Sequence, residues 1–206
     1  MIHKSTIVNQ NAQLYELWPT YIYREELQDQ KSLGDCRDVL LNFDQETSFK
    51  WGRHVLGFDH PALEWLSQEF LRAAEAWKSL AGYPEGSWPL KVGASWMQSQ
   101  HQDEHLSPHR HANAPLVGVC YLKMNRSAIP PKQNPLEMRG GDIGFLDSAG
   151  GPRMVSPLHR EQFYISPQVG TLLIFPSHLW HYSVPFREDD SRLCVTALLF
   201  ARPTSN

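Results

Sequence analysis

Apolar residues recur at helical spacing from Pro61 to about Leu80. Leu63, Leu66, Phe70, Ala73, Ala74 and Trp77 fall three or four apart, which predicts one amphipathic helix with a proline at its start. A second stretch, about Gln28–Asn42, carries the same pattern in Leu33, Cys36, Val39 and Leu40. Before it, Leu14-Tyr-Glu-Leu-Trp-Pro-Thr-Tyr-Ile-Tyr-Arg24 is rich in aromatic and β-branched residues and predicts a strand. From Leu90 the period changes. Short runs of β-formers alternate with Gly, Pro, Asn and Ser: Leu90–Gln98, Leu116–Met124, Asp142–Leu146, Gln162–Ile165, Thr171–Phe175, Trp180–Val184 and Leu193–Ala201. Strands so spaced predict a sandwich or barrel. The expectation is a mainly β chain, a double-stranded β-helix (jelly roll) with N-terminal helices packed on one sheet, in one domain over residues 1–206. The stretch from Asn125 to Gly141 holds Pro130, Pro131, Pro135 and a Gly-Gly pair, and predicts an irregular loop.

Composition narrows the class. A 206-residue chain suits one large domain and should bury roughly 70% of its unfolded surface without needing disulfides or a structural metal. Apolar residues at 41% and charged residues at 20% exclude intrinsic disorder. The longest apolar runs, such as Thr171–Pro176, fall far short of the ~20 residues of a membrane helix. A net charge of −3 and the lack of any Lys/Arg-rich run argue against a nucleic-acid surface. Met1–Gln10 has no apolar stretch to read as a secretory signal. Cys36, Cys120 and Cys194 are odd in number and far apart, which fits a reduced interior. The expectation is a soluble, cytoplasmic chain without a membrane partner. Histidine stands out: there are ten, with His101, His105, His109 and His111 close together and His178 and His181 near the C-terminus.

In Ser107-Pro-His109-Arg-His111 two imidazoles stand at i and i+2. An extended backbone projects both from one face, and imidazole nitrogens suit Fe, Zn, Cu or Ni. The plain alternative is a polar loop with solvated histidines. His101-Gln-Asp103 offers a competing pair that includes a carboxylate, and Asp147 could supply another. His178 reads as a loop residue, and Trp96 and Trp180 as core or pocket wall.

Order along the chain adds weight. After His111 come the strand Leu116-Val-Gly-Val-Cys-Tyr-Leu122, then Gly140-Gly141-Asp-Ile-Gly-Phe145, Val169-Gly-Thr-Leu-Leu-Ile-Phe-Pro176, Leu179-Trp-His181, and Arg192 opening a last strand to Phe200. This succession resembles the Fe(II)/2-oxoglutarate-dependent oxygenase superfamily. Within it, the chain is most similar to a family of uncharacterised bacterial and phage proteins with a His-x-His motif. There, a Gly follows the second histidine at seven residues, as Gly118 follows His111. Leu17-Trp-Pro-Thr20 and Ser95-Trp96 look like that family too. The resemblance implies iron held by His109 and His181, with His111 where the superfamily places a carboxylate. It implies 2-oxoglutarate bound at its far carboxylate by Arg192, with Tyr121 and Thr196 assisting, and no catalytic residue beyond the metal site. His101/Asp103 and Asp147 stay open as sources of the third ligand.

The expected activity is a 2-oxoglutarate-dependent dioxygenase, a hydroxylase using Fe(II), 2-oxoglutarate and O2 on an unknown small-molecule or peptide substrate. The 125–141 loop is a candidate substrate lid. Nucleic acid is not an expected partner, and the oligomeric state is open, a homodimer included. Two rivals remain: a three-histidine, cupin-like metal dioxygenase that does not use 2-oxoglutarate, and a non-catalytic jelly-roll ligand-binding module.

Overall fold

The computed structural model describes residues 5–9, 12–15, 20–47, 54–125, 137–147, 162–186 and 191–202. Near the N-terminus, β1 (Ser5–Asn9) and β2 (Ala12–Tyr15) pair antiparallel, a hairpin that the sequence pattern did not suggest. The single strand expected over Leu14–Arg24 does not form. Its first two residues end β2, residues 16–19 lie outside the described residues, and β3 begins only at Tyr23 (Tyr23–Glu26).

Helix α1 (Gln30–Thr47) starts where the Asp29 carboxylate accepts the Ser32 backbone N–H at 3.0 Å, satisfying one of the donors a helix start leaves orphaned. It runs a turn past the expected end. Helix α2 (Pro61–Leu80) has the predicted bounds, with proline in the first turn and His60 Nδ1 accepting the Ala62 N–H. Its stripe of Leu63, Leu66, Phe70, Ala73 and Ala74 is fully buried. It packs with Leu33, Cys36 and Leu40 of α1 against a sheet.

That sheet has five antiparallel strands in the order β3-β8-β5-β10-β4. The last four of these are β8 (Thr171–Pro176), β5 (Leu116–Asn125), β10 (Ser191–Ala201) and β4 (Leu90–Gln100). A second sheet orders β7 (Gln162–Ile165), β6 (Ile143–Leu146) and β9 (His181–Ser183). Both faces of the large sheet are covered, so its strands read as unbroken apolar runs. Leu116, Cys120 and Leu122 of β5, with Leu193, Val195 and Ala197 of β10, face the helices. Val117, Val119 and Tyr121, with Cys194, face Ile143, Phe145 and Ile165 of the small sheet.

Two local features tune this arrangement. Gly118 lies under α2, where an added Cβ would come within 2.4 Å of the Phe70 ring. Between Leu193 and Cys194 the pairing of β10 with β5 slips by one residue, a bulge that brings both Tyr121 and Met124 to the inter-sheet side. All three cysteines are free and buried. Among the described residues no helix is long and apolar enough to cross a membrane. Most of the loop expected at 125–141 lies outside the described residues.

Candidate metal centre

The chain between β4 and β5 returns across the small sheet. There, His109 and His181, the first residue of β9, exchange two backbone hydrogen bonds of 2.9 Å each. Two residues on, the His111 N–H donates to the Ser177 carbonyl at 3.0 Å. Backbone pairing, not side-chain attraction, therefore sets the three rings together. Ring centroids stand 4.3 Å apart for His109 and His181, and 5.2 Å for each pair with His111. One nitrogen from each lies within 4.8 Å of the others, close enough to share a metal ion.

The tautomers follow from the contacts. His109 Nδ1 meets the Ser107 carbonyl and His181 Nδ1 the Leu179 carbonyl, both at 2.9 Å. A carbonyl only accepts, so each Nδ1 carries the proton and each Nε2 keeps its lone pair. His111 Nε2 is buried with no hydrogen-bond partner. A buried ring nitrogen without a protein partner fits a metal ligand. Burial, with His109 beside it, pushes His111 down to about 4. Burial also pushes His181 down to about 3, although the Leu179 carbonyl pulls the other way. Both rings are neutral near pH 7.

The triad opens onto a cavity of about 310 Å³ between the sheets, walled by Trp96, Leu106, Val119 and Ile143. Arg192, Cys194 and Thr196 alternate along β10, so all three face it. Arg192 is only 4% exposed. Its Nε donates to Gln100 Oε1 at 2.6 Å, its Nη2 to the same oxygen, and its Nη1 to the Gly141 carbonyl at 3.2 Å. All these acceptors are neutral. A buried cation whose hydrogen bonds all go to neutral acceptors is stabilised further by an arriving anion. Tyr121 and Thr196 are buried on the same cavity. Burial holds the Tyr121 phenol well above its usual range, with Arg192 drawing it back in part.

The competing pair goes elsewhere. His101 and Asp103 are exposed on a turn, where Asp103 has φ +60° and the His101 N–H is held by the Glu104 carboxylate. Asp147 is exposed beyond β6. Among the described residues no carboxylate joins the three histidines. His178 is exposed, as a loop residue should be. Trp96 is a cavity wall, its ring 5.4 Å from that of His111. Trp180 is neither core nor cavity wall: it is 37% exposed, with the Arg110 guanidinium over its ring. Sequence reasoning missed Gln100. Its only sign was its place opposite Arg192, which needs the strand register to be seen.

Comparison with known proteins bears on the family and the fold. A family model described as "Putative 2OG-Fe(II) oxygenase" matches residues 94–197, just over half of the 206-residue chain. No curated protein matches. Among solved structures, a prolyl-4-hydroxylase from Pseudomonas putida is 14% identical, covering 88% of each chain with a TM-score of 0.59. AviO1 from Streptomyces viridochromogenes Tue57 is 12% identical, covering 90% of this chain and 91% of its own, with a TM-score of 0.58. HygX from Streptomyces hygroscopicus, crystallised with nickel and 2-oxoglutarate, is 10% identical, covering 88% of this chain and 83% of its own, with a TM-score of 0.58. At these identities the likeness speaks for the jelly-roll fold. The matched segment contains the three histidines, Tyr121, Arg192 and Thr196, and the chain belongs to this family of 2OG-Fe(II) oxygenases, oxidoreductases that use iron and 2-oxoglutarate.

Proposed function

We propose that His109, His111 and His181 hold the iron through their Nε2 atoms. In the same cavity, Arg192, with Thr196 and Tyr121, receives the far carboxylate of 2-oxoglutarate. The observation that carries this reading is the buried Arg192 guanidinium, bonded only to neutral oxygens and facing the cavity of the triad. The donor set fits a divalent ion: three neutral imidazoles, one of them with an unpartnered buried nitrogen. Iron there would supply the oxygen chemistry that couples decarboxylation of 2-oxoglutarate to oxidation of a substrate.

The chain's own part is to position the ligands and the co-substrate. The Ser107 and Leu179 carbonyls fix two ring orientations. Trp96, Leu106, Val119 and Ile143 supply the apolar part of the cavity wall, and Arg192 supplies a planar fork suited to a carboxylate. Compared with two histidines and a carboxylate, three neutral ligands leave the centre one charge unit more positive, which favours anionic ligands. The substrate is a small molecule or peptide small enough to reach the cavity, and the whole chain acts as one jelly-roll domain. Cytoplasmic residence fits the three free, buried cysteines.

The test is thermal. With Mn(II) as a redox-inert substitute, 2-oxoglutarate at one hundred times its dissociation constant should add about 2.7 kcal/mol of stability, or roughly 5–10 °C in Tm for a chain of this size. No shift with metal and 2-oxoglutarate together overturns the reading. Release of succinate with iron and ascorbate tests turnover, and substrate oxidation without 2-oxoglutarate would favour the three-histidine dioxygenase instead.

A further inference from the structure

We infer that Gln100 is a positioning residue for the co-substrate: its amide oxygen aims the Arg192 fork and, being uncharged, does not offset the guanidinium's positive charge. The inference rests on the assignment of Arg192 to 2-oxoglutarate. Gln100 ends β4, and the register of β10 on β4 sets it directly opposite Arg192. Residues so paired share a face of the sheet. Gln100 is 4% exposed, and its Oε1 accepts from both Nε and Nη2 of Arg192. With Nη1 donating to Gly141, three of the five guanidinium N–H groups are engaged. One N–H remains on each terminal nitrogen, which is what a bidentate carboxylate needs.

The amide is itself oriented from behind. Its Nε2 donates to Ser183 Oγ at 3.1 Å, and the same Oγ accepts the Leu106 N–H at 2.6 Å. Ser183 lies two residues after His181 on β9, and Leu106 lies on the segment that leads to His109. The line Arg192–Gln100–Ser183 thus crosses from the large sheet to the small one and ends beside the metal ligands. If the amide were flipped, its NH2 group would point at the guanidinium and its oxygen at Ser183, losing both contacts to Arg192. The network therefore fixes which way Gln100 faces.

A carboxylate at this position would keep both contacts to Arg192, accept from the Ser183 hydroxyl where the amide now donates to it, and change the electrostatics. It would close an ion pair on Arg192 and place a negative charge beside the arriving dicarboxylate. Gln100→Glu should therefore fold with its Tm, measured without ligand, equal to or above that of the parent. Its Mn(II) affinity should be unchanged, while 2-oxoglutarate affinity, read by calorimetry on the Mn(II)-loaded protein, should fall on the order of tenfold or more. Gln100→Leu keeps the guanidinium charge but removes its guide, and should raise KM for 2-oxoglutarate by a larger factor than it lowers kcat. Stability and co-substrate affinity moving apart in Gln100→Glu is the signature of positioning; a purely structural residue would lower both.

Three results would overturn the inference. The first is parental 2-oxoglutarate affinity in Gln100→Glu. The second is a loss in that variant that comes with lost Mn(II) binding and a lowered Tm. The third is a Gln100→Leu variant whose kcat falls while KM holds. Controls separate this failure from failure of the underlying reading. If the parent itself binds no 2-oxoglutarate, the Arg192 assignment falls first. If Arg192→Met loses binding while Gln100→Glu keeps it, only the role of Gln100 is refuted.

Discussion

Replacing Arg192 with methionine separates a ligand-binding cation from a structural one. In the protein without ligand, two effects oppose each other. The variant orphans the buried Gln100 Oε1, which accepts from both Nε and Nη2, and removes a donor from the Gly141 carbonyl. An unsatisfied buried acceptor costs about 1–3 kcal/mol. Against that, the variant removes a buried charge to which, among the described residues, no carboxylate is hydrogen-bonded, and this relieves part of the cost of burying it. Methionine also fills a similar volume. The ligand-free variant should therefore stay within about 2 kcal/mol of the parent. With 2-oxoglutarate the balance is one-sided. Losing a charge-assisted contact weakens binding by about 1.5–3 kcal/mol, or roughly 10- to 140-fold in Kd. At the 2-oxoglutarate concentration that adds about 2.7 kcal/mol to the parent, the variant should gain only about 0.3–1.4 kcal/mol. Scanning fluorimetry in Mn(II), with and without 2-oxoglutarate, reads both quantities in one experiment. A variant that keeps the full parental shift would refute the co-substrate role. A ligand-free variant that melts far below the parent would make Arg192 a structural cation.

Three further outcomes follow from the geometry. By calorimetric titration, His109→Ala and His181→Ala should lose tight metal binding and His111→Ala should weaken it strongly. His101→Ala and Asp103→Ala, exposed on their turn, should titrate like the parent; loss of metal in these two, with His109→Ala keeping it, would move the centre to His101/Asp103. Thr196→Val removes one hydroxyl from the cavity at constant shape. It should weaken 2-oxoglutarate by about 0.5–1.5 kcal/mol, seen as a several-fold rise in Kd with Mn(II) affinity unchanged. Gly118→Ala forces a methyl group against the Phe70 ring on the far face of the same sheet. It should lower stability by about 1–3 kcal/mol, read as a lower Tm, and a variant as stable as the parent would show that α2 can shift to accommodate it.

The fold was legible in the sequence where a segment's period is set by its own burial. The α2 stripe and the apolar runs of β5, β8 and β10 state their environment directly, and their bounds agree with expectation to within a residue or two. The N-terminal hairpin was not legible, because the pairing of β1 with β2 shows no contrast of apolar and polar positions along the chain. In the site, the i, i+2 spacing of His109 and His111 predicted convergence on an extended backbone. The choice between that pair and His101/Asp103, however, depends on which segment bridges β9, a long-range fact. The partners of Arg192 were invisible for the same reason. Gln100 becomes meaningful only once β4 is laid against β10 in register.

The pairing of His109 with His181 joins residues about seventy apart in sequence, and it forms only where the small sheet has closed. Contacts so distant are made late and slowly, since loop closure must precede any reward. A zinc finger gathers its ligands locally and can use its metal to fold, whereas the three histidines here come together only through pairing of distant segments, so a metal bound there would be received by a folded chain. If the triad takes a metal as proposed, the folded chain without it already has the three imidazoles in place to receive one.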